Sequence, residues 1–150
     1  ISESAWEEMT CLFAPSLVIS HLAYASDCDS VEEMDKADNA ASAIHGWQGV
    51  YSFYENYRQC DEGYIAEGMS ATIVGLLANN WKTSHQLMHL SESDRAFESW
   101  MINHINTTTN DRDLDKVVRN AADNCPEGDK AFCNQIENAA QGALKELQSQ

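Results

Sequence analysis

Apolar residues recur at steps of three and four along much of this chain, and that period restricts the fold more than any other feature. Ile65, Met69, Ile73, Leu76, Leu77 and Trp81 fall on one helical face, as do Phe97, Trp100, Met101, His104 and Ile105. Leu114, Val117, Val118 and Ala121 form a third stripe, and Phe132, Ile136, Ala139, Ala140, Ala143 and Leu147 a fourth. Each stripe defines an amphipathic helix that needs another element to cover it. Alternation of β-branched residues is nearly missing, and two prolines and seven glycines punctuate the chain, so strands have little support. The expected fold class is all-α, a compact bundle of about six or seven helices forming a single domain over residues 1–150.

Polar residues mark the expected helix boundaries. Ser30 with Glu33 reads as a capping box, Asp61 as an N-cap after Cys60, Ser93 as a cap before Phe97, and Asn110 with Asp113 as another start. Pro126 should stop the helix that ends near Asn124, and the polar run from Asn106 to Asn110 should be a loop. In the first half, Pro15 should kink or divide a helix from about Glu3 to Ala25 by removing a donor and crowding the Cys11 carbonyl. Trp47, Val50, Tyr51 and Tyr54 keep helical spacing, which places a helix over about Val31 to Tyr57, broken near Gly46.

The cysteines point to an oxidising compartment. Cys11, Cys28, Cys60, Cys125 and Cys133 include no Cys-x-x-Cys pair, so zinc and dithiol redox chemistry are poorly supported. Cys125 and Cys133 flank the turn Pro126-Glu127-Gly128-Asp129, where two helices can bring their sulfurs together. Cys28 and Cys60 are the favoured second bridge, both at expected helix ends, with Cys11 left as a buried small apolar residue. The stretch from Cys11 to Ala25 resembles a signal core, but its flank carries Glu3, Glu7 and Glu8 where positive charge is needed. It is expected to be a helix of the mature protein, with any export signal upstream of Ile1.

Charge limits the partners. Twenty-four acidic residues face nine basic ones, a formal net charge of −15, which repels nucleic acid and anionic lipid. No apolar run reaches the length of a membrane span, so membrane insertion is not expected. The imbalance is concentrated in residues 1–81, where Lys36 and Arg58 are the only bases. A surface of this kind serves solubility, or steers a basic protein into contact.

No cluster carries a specific catalytic pattern. His85 and His89, with Glu92, have helical spacing for shared metal binding, but Gln86, Leu87 and Met88 between them do not complete a zinc-hydrolase motif. They are expected to be ordinary surface or core histidines, and no metal or cofactor is expected. His21, His45 and His104 lie beside apolar residues, the usual setting of a hydrogen-bonded core histidine. Asp61, Glu62 and Glu67 suit the positive end of a helix better than an acid and base pair. Among Trp47, Tyr51, Phe53, Tyr54 and Tyr57, one helix carries two aromatic faces, and Phe53 and Tyr57 are the members expected to be exposed. The expected partner-binding residues are therefore Asp61, Glu62, Glu67, Phe53 and Tyr57. Asn106-Thr107-Thr108 satisfies the glycosylation rule.

Between Cys60 and Ala140, the segments CDEGYIAEGMSATIVGLLANNW, FESWMINHINTTTNDRDL and NCPEGDKAFC resemble a group of small exported bacterial proteins without assigned enzyme activity. The helical make-up and the late cysteine pair are also loosely similar to the periplasmic helical immunity proteins that neutralise type VI secretion effectors. That resemblance implies a periplasmic acidic protein that blocks the cleft of a basic cell-wall hydrolase. The expected function is thus a non-enzymatic binding protein, periplasmic or secreted, with a basic protein as partner. The competing expectation is a secreted helical carrier of a small apolar ligand, its pocket lined by Met69, Ile73, Trp81, Phe97 and Trp100. A third, a glycosidase or metal enzyme, would depend on Glu67 or His85.

Overall fold

The computed structural model describes residues 28–150. The expected helix from Glu3 to Ala25, its kink at Pro15 and the placement of Cys11 lie outside the described residues. Among the described residues there are seven α-helices and no strand. They are α1 (Val31–Ser42), α2 (Trp47–Tyr57), α3 (Gly63–Asn79), α4 (Ser84–Ser93), α5 (Arg95–Asn103), α6 (Asp111–Asp123) and α7 (Lys130–Gln148). Short 3-10 turns at Arg58–Cys60 and Trp81–Thr83 lead into α3 and α4. The chain is an all-α, disulfide-bearing bundle, as the stripes require.

The stripes form one continuous core. Ile65, Met69, Ile73 and Leu77 of α3 meet Phe97 and Met101 of α5, Leu114 and Val117 of α6, and Ile136 and Ala140 of α7, all essentially inaccessible. Helices α6 and α7 form a hairpin whose turn carries Gly128 at φ 89°, a backbone region open to glycine. The Cys125–Cys133 disulfide closes that hairpin, with Cα atoms 6.0 Å apart. The second expected bridge, Cys28–Cys60, is also formed and ties the entry to α1 to the turn before α3.

Side chains finish several helix ends. Ser30 Oγ accepts from the Glu33 amide and Asn110 Oδ1 from the Asp113 amide, both as expected. The cap before Phe97 is Asp94, not Ser93; Ser93 ends α4, and Asp94 Oδ1 accepts the Phe97 amide. Asp94 Oδ2 also accepts the Tyr51 hydroxyl at 2.9 Å, which pins α2 to the start of α5. The Phe97 amide, then the Tyr51 hydroxyl, hold the Asp94 carboxyl below its ordinary range, and the same bond to Asp94 raises the Tyr51 phenol. Asn120 of α6 donates to the Leu77 and Ala78 carbonyls, satisfying acceptors left free at the end of α3. The long helix expected over Val31 to Tyr57 is broken at Gly46, which is extended and serves as the N-cap of α2.

Candidate functional site

Three residues far apart in sequence meet between α3, α5 and the turn after Cys60. Ser70 sits in the middle of α3, one turn after Ile65 and Ala66, and places its Oγ 2.7 Å from His104 Nδ1. His104 ends α5, and its Nε2 stands 2.8 Å from Asp61 Oδ2. The same carboxylate oxygen accepts the Trp100 indole N–H at 2.8 Å. Asn106 Nδ2 completes the chain by donating to Ser70 Oγ at 3.2 Å. A carboxylate only accepts, so the proton lies on Nε2 toward Asp61, and Nδ1 accepts the Ser70 hydroxyl.

This connectivity is that of a serine nucleophile, an imidazole base and an orienting carboxylate, with the two ring nitrogens in the opposite sense to the serine-protease arrangement. Its surroundings favour a structural role. Ser70 is 2% exposed, and backbone amides in the middle of α3 are engaged in helical bonds, leaving no paired donors for an oxyanion. Trp100 packs edge-on against the imidazole at 4.7 Å between centroids, and Tyr54 and Phe97 pack against Trp100. The network joins α3, α5 and the Cys60 turn through groups whose hydrogen bonds are nearly all satisfied. Asp61 Oδ1 is the exception, buried and without a hydrogen-bond partner among the described residues.

The expected site residues divide. Asp61 is corrected in two respects: Glu62 occupies the N-cap position of α3 without a side-chain bond, and the Asp61 carboxylate turns inward, its side chain 13% exposed. Phe53 is corrected from exposed to 2% exposed, because its face of α2 packs on Tyr57 and Trp100. Tyr57 is half-buried against the core. Glu62 and Glu67 are exposed and lie at the start of α3 with Tyr64, itself 56% exposed. Tyr64 forms one wall of a groove between α1 and α3, with Asp38 and Ala41 on the α1 side and Gly68 on the α3 side.

The other candidates are simpler. His85 and His89 are exposed on α4, and His85 Nδ1 is 3.1 Å from the Lys82 carbonyl. Among the described residues, Cys28, Glu33 and Cys60 are the acidic, thiol or imidazole groups that converge within 4.8 Å, and the two sulfurs are already joined. Met69, Ile73 and Phe97, expected for a carrier pocket, pack into the core, and Trp81 and Trp100 direct their N–H groups to the Asn124 carbonyl and Asp61. Asn106 of the glycosylation triplet is half-buried and spends its amide on Ser70 and Asn103.

Sequence reasoning anticipated His104 as a hydrogen-bonded core histidine but missed Ser70 and misread Asp61. Separations of 34 and 43 residues leave no local signal linking the three. A serine on the apolar stripe of α3 was the available hint. No family model, curated protein or solved structure matches this chain.

Proposed function

We propose that this is a non-enzymatic, periplasmic or secreted binding protein whose acidic surface captures a basic protein. The observation that carries the reading is the face around Tyr64. Exposed Tyr64 shares the start of α3 with the exposed carboxylates of Glu62 and Glu67, and Asp38 lies across the α1–α3 groove. Tyrosine supplies rigid contact area, while the carboxylates accelerate and orient encounter with a cationic surface. Four of the 24 acidic residues (Glu3, Glu7, Glu8 and Asp27) precede the described part, and none of the nine bases does. Even so, the Lys and Arg ion pairs among the described residues are Lys36–Glu32, Arg95–Glu98 and Arg119–Asp115. Most of the described carboxylates thus lie outside a Lys or Arg ion pair. Two disulfides support an oxidising compartment, and the burial of Ser70 supports a role other than hydrolysis.

In its more specific form, following the resemblance above, the partner is a cell-wall hydrolase and the protein is its inhibitor. The test mixes the purified protein with the exported products of the genes flanking its own, and measures binding and lysis of peptidoglycan. Salt-sensitive binding with loss of lysis is expected, and Tyr64→Ala should weaken it by more than about tenfold. Failure to bind any of them would overturn the inhibitor reading.

A further inference from the structure

A cleft of about 140 Å³ opens between α4, α5 and the start of α7, built from other residues than the Tyr64 face. Met88 and Phe132, both buried, line it together with Glu92, Glu98 and Asp129. Glu98 is unusual for a carboxylate in being only 9% exposed. One of its oxygens, Oε2, accepts Arg95 Nη1 at 2.9 Å; among the described residues Oε1 has no hydrogen-bond partner. Arg95 itself has a side chain 71% exposed, so a charge held deep in the cleft is answered by a guanidinium that is mostly in water.

We propose that this cleft receives an arginine side chain of a basic partner protein. An incoming guanidinium would meet the free Oε1 of Glu98, lay its methylene stem along Met88 and Phe132, and displace or share the bond to Arg95. Arg95 marks the place: it shows that the buried carboxylate accepts a planar cationic donor, and its exposure makes exchange inexpensive. Asp129 stands at the N-terminal end of α7, where its charge first offsets the positive end of the helix, and Arg95, which also lines the cleft, engages one oxygen of Glu98, so that among the described residues Glu92 is the lining carboxylate without an ion pair. A metal ion is disfavoured as occupant, because these three carboxylates do not form a cluster converging within 4.8 Å. The choice of an arginine from a protein rests on the basic-partner reading above; the affinity of the cleft for a guanidinium does not.

The experiment titrates the full chain with acetyl-Gly-Arg-Gly-Arg-Gly-amide and with its citrulline analogue, which keeps the shape and removes the charge, and follows amide resonances by NMR. The arginine peptide should shift signals around Met88, Glu98 and Phe132, with the citrulline peptide about tenfold weaker or more. Glu98→Gln should weaken the arginine peptide by about tenfold. Arg95→Ala should tighten it, because the internal competitor is gone, a gain that a merely structural role for Arg95 does not produce. Should Glu98→Gln fail to fold, Glu92→Gln and Arg95→Ala carry the comparison. Shifts spread over all acidic faces and equal in wild type, Arg95→Ala and Glu98→Gln would overturn the proposal as general surface attraction, as would weaker binding by Arg95→Ala. Peptide binding in the cleft without capture of any flanking gene product would sink the inhibitor reading and leave the cleft standing.

Discussion

Asp61 Oδ2 and His104 Nε2 lie 2.8 Å apart across 43 residues of sequence, in a region where the side chains of both are largely withdrawn from water. The contact converts two helix-end residues into one internal tie between the Cys60 turn and the end of α5. It also leaves the Trp100 indole dependent on the same oxygen.

Removing that carboxylate strands two donors, one on buried His104 and one on half-buried Trp100. Hydrogen bonds to a charged group contribute about 1.5–3 kcal/mol each, and not additively when they share an acceptor. Asp61→Ala should therefore lower the unfolding free energy by about 3 kcal/mol in urea denaturation, with far-ultraviolet dichroism retained. A loss under about 0.5 kcal/mol would mean that water replaces Asp61 freely.

Ser70 supplies the contrasting case. Its hydroxyl makes neutral bonds with His104 and Asn106, so Ser70→Ala should cost about 1 kcal/mol. Because Ser70 is 2% exposed, a fluorophosphonate probe should leave it unmodified in the folded protein, as read by peptide mass mapping. A stoichiometric adduct on Ser70 would reopen the hydrolase reading.

The Asp94 cap gives a pH dependence with a definite sign. Its folded carboxyl titrates below the unfolded one, chiefly because the Phe97 amide and then Tyr51 bond the charged form. Stability from this group is therefore complete above the unfolded value of about 3.9 and is lost as pH falls through the lower folded value. The stability difference between wild type and Asp94→Ala should stay constant from neutrality to about pH 5 and shrink in stronger acid. Chemical denaturation at stepped pH measures it, and a difference that grows on acidification would contradict the assignment.

The two disulfides should differ in worth. Cys28 and Cys60 are 32 residues apart and Cys125 and Cys133 only 8, so chain-entropy reasoning assigns about 3.7 and about 2.5 kcal/mol. Replacing Cys28 and Cys60 by serine should destabilise the protein by about 1 kcal/mol more than replacing Cys125 and Cys133. Paired thermal unfolding curves decide this, and the reverse order would show that native packing outweighs loop closure.

What the sequence alone determined is local in origin. The four apolar stripes, the caps at Ser30 and Asn110, the break at Gly46 and the hairpin bridge Cys125–Cys133 each depend on residues within a few turns of one another, where helical period and turn chemistry act directly. Cys28–Cys60 was also foreseen, from the helix ends expected beside both cysteines. Tertiary structure decided the rest. Ser93 and Asp94 are both competent caps, and the Tyr51 hydroxyl from α2 accompanies the choice of Asp94. Phe53 and Tyr64 are both aromatic, yet the packing of α2 on Trp100 buries the first while the position of Tyr64 at the start of α3 leaves the second exposed. Asp61 had the credentials of a surface cap, and only the arrival of Trp100 and His104 from α5 turned it inward, because a buried imidazole and a half-buried indole find their acceptor there and not in a residue near them in sequence.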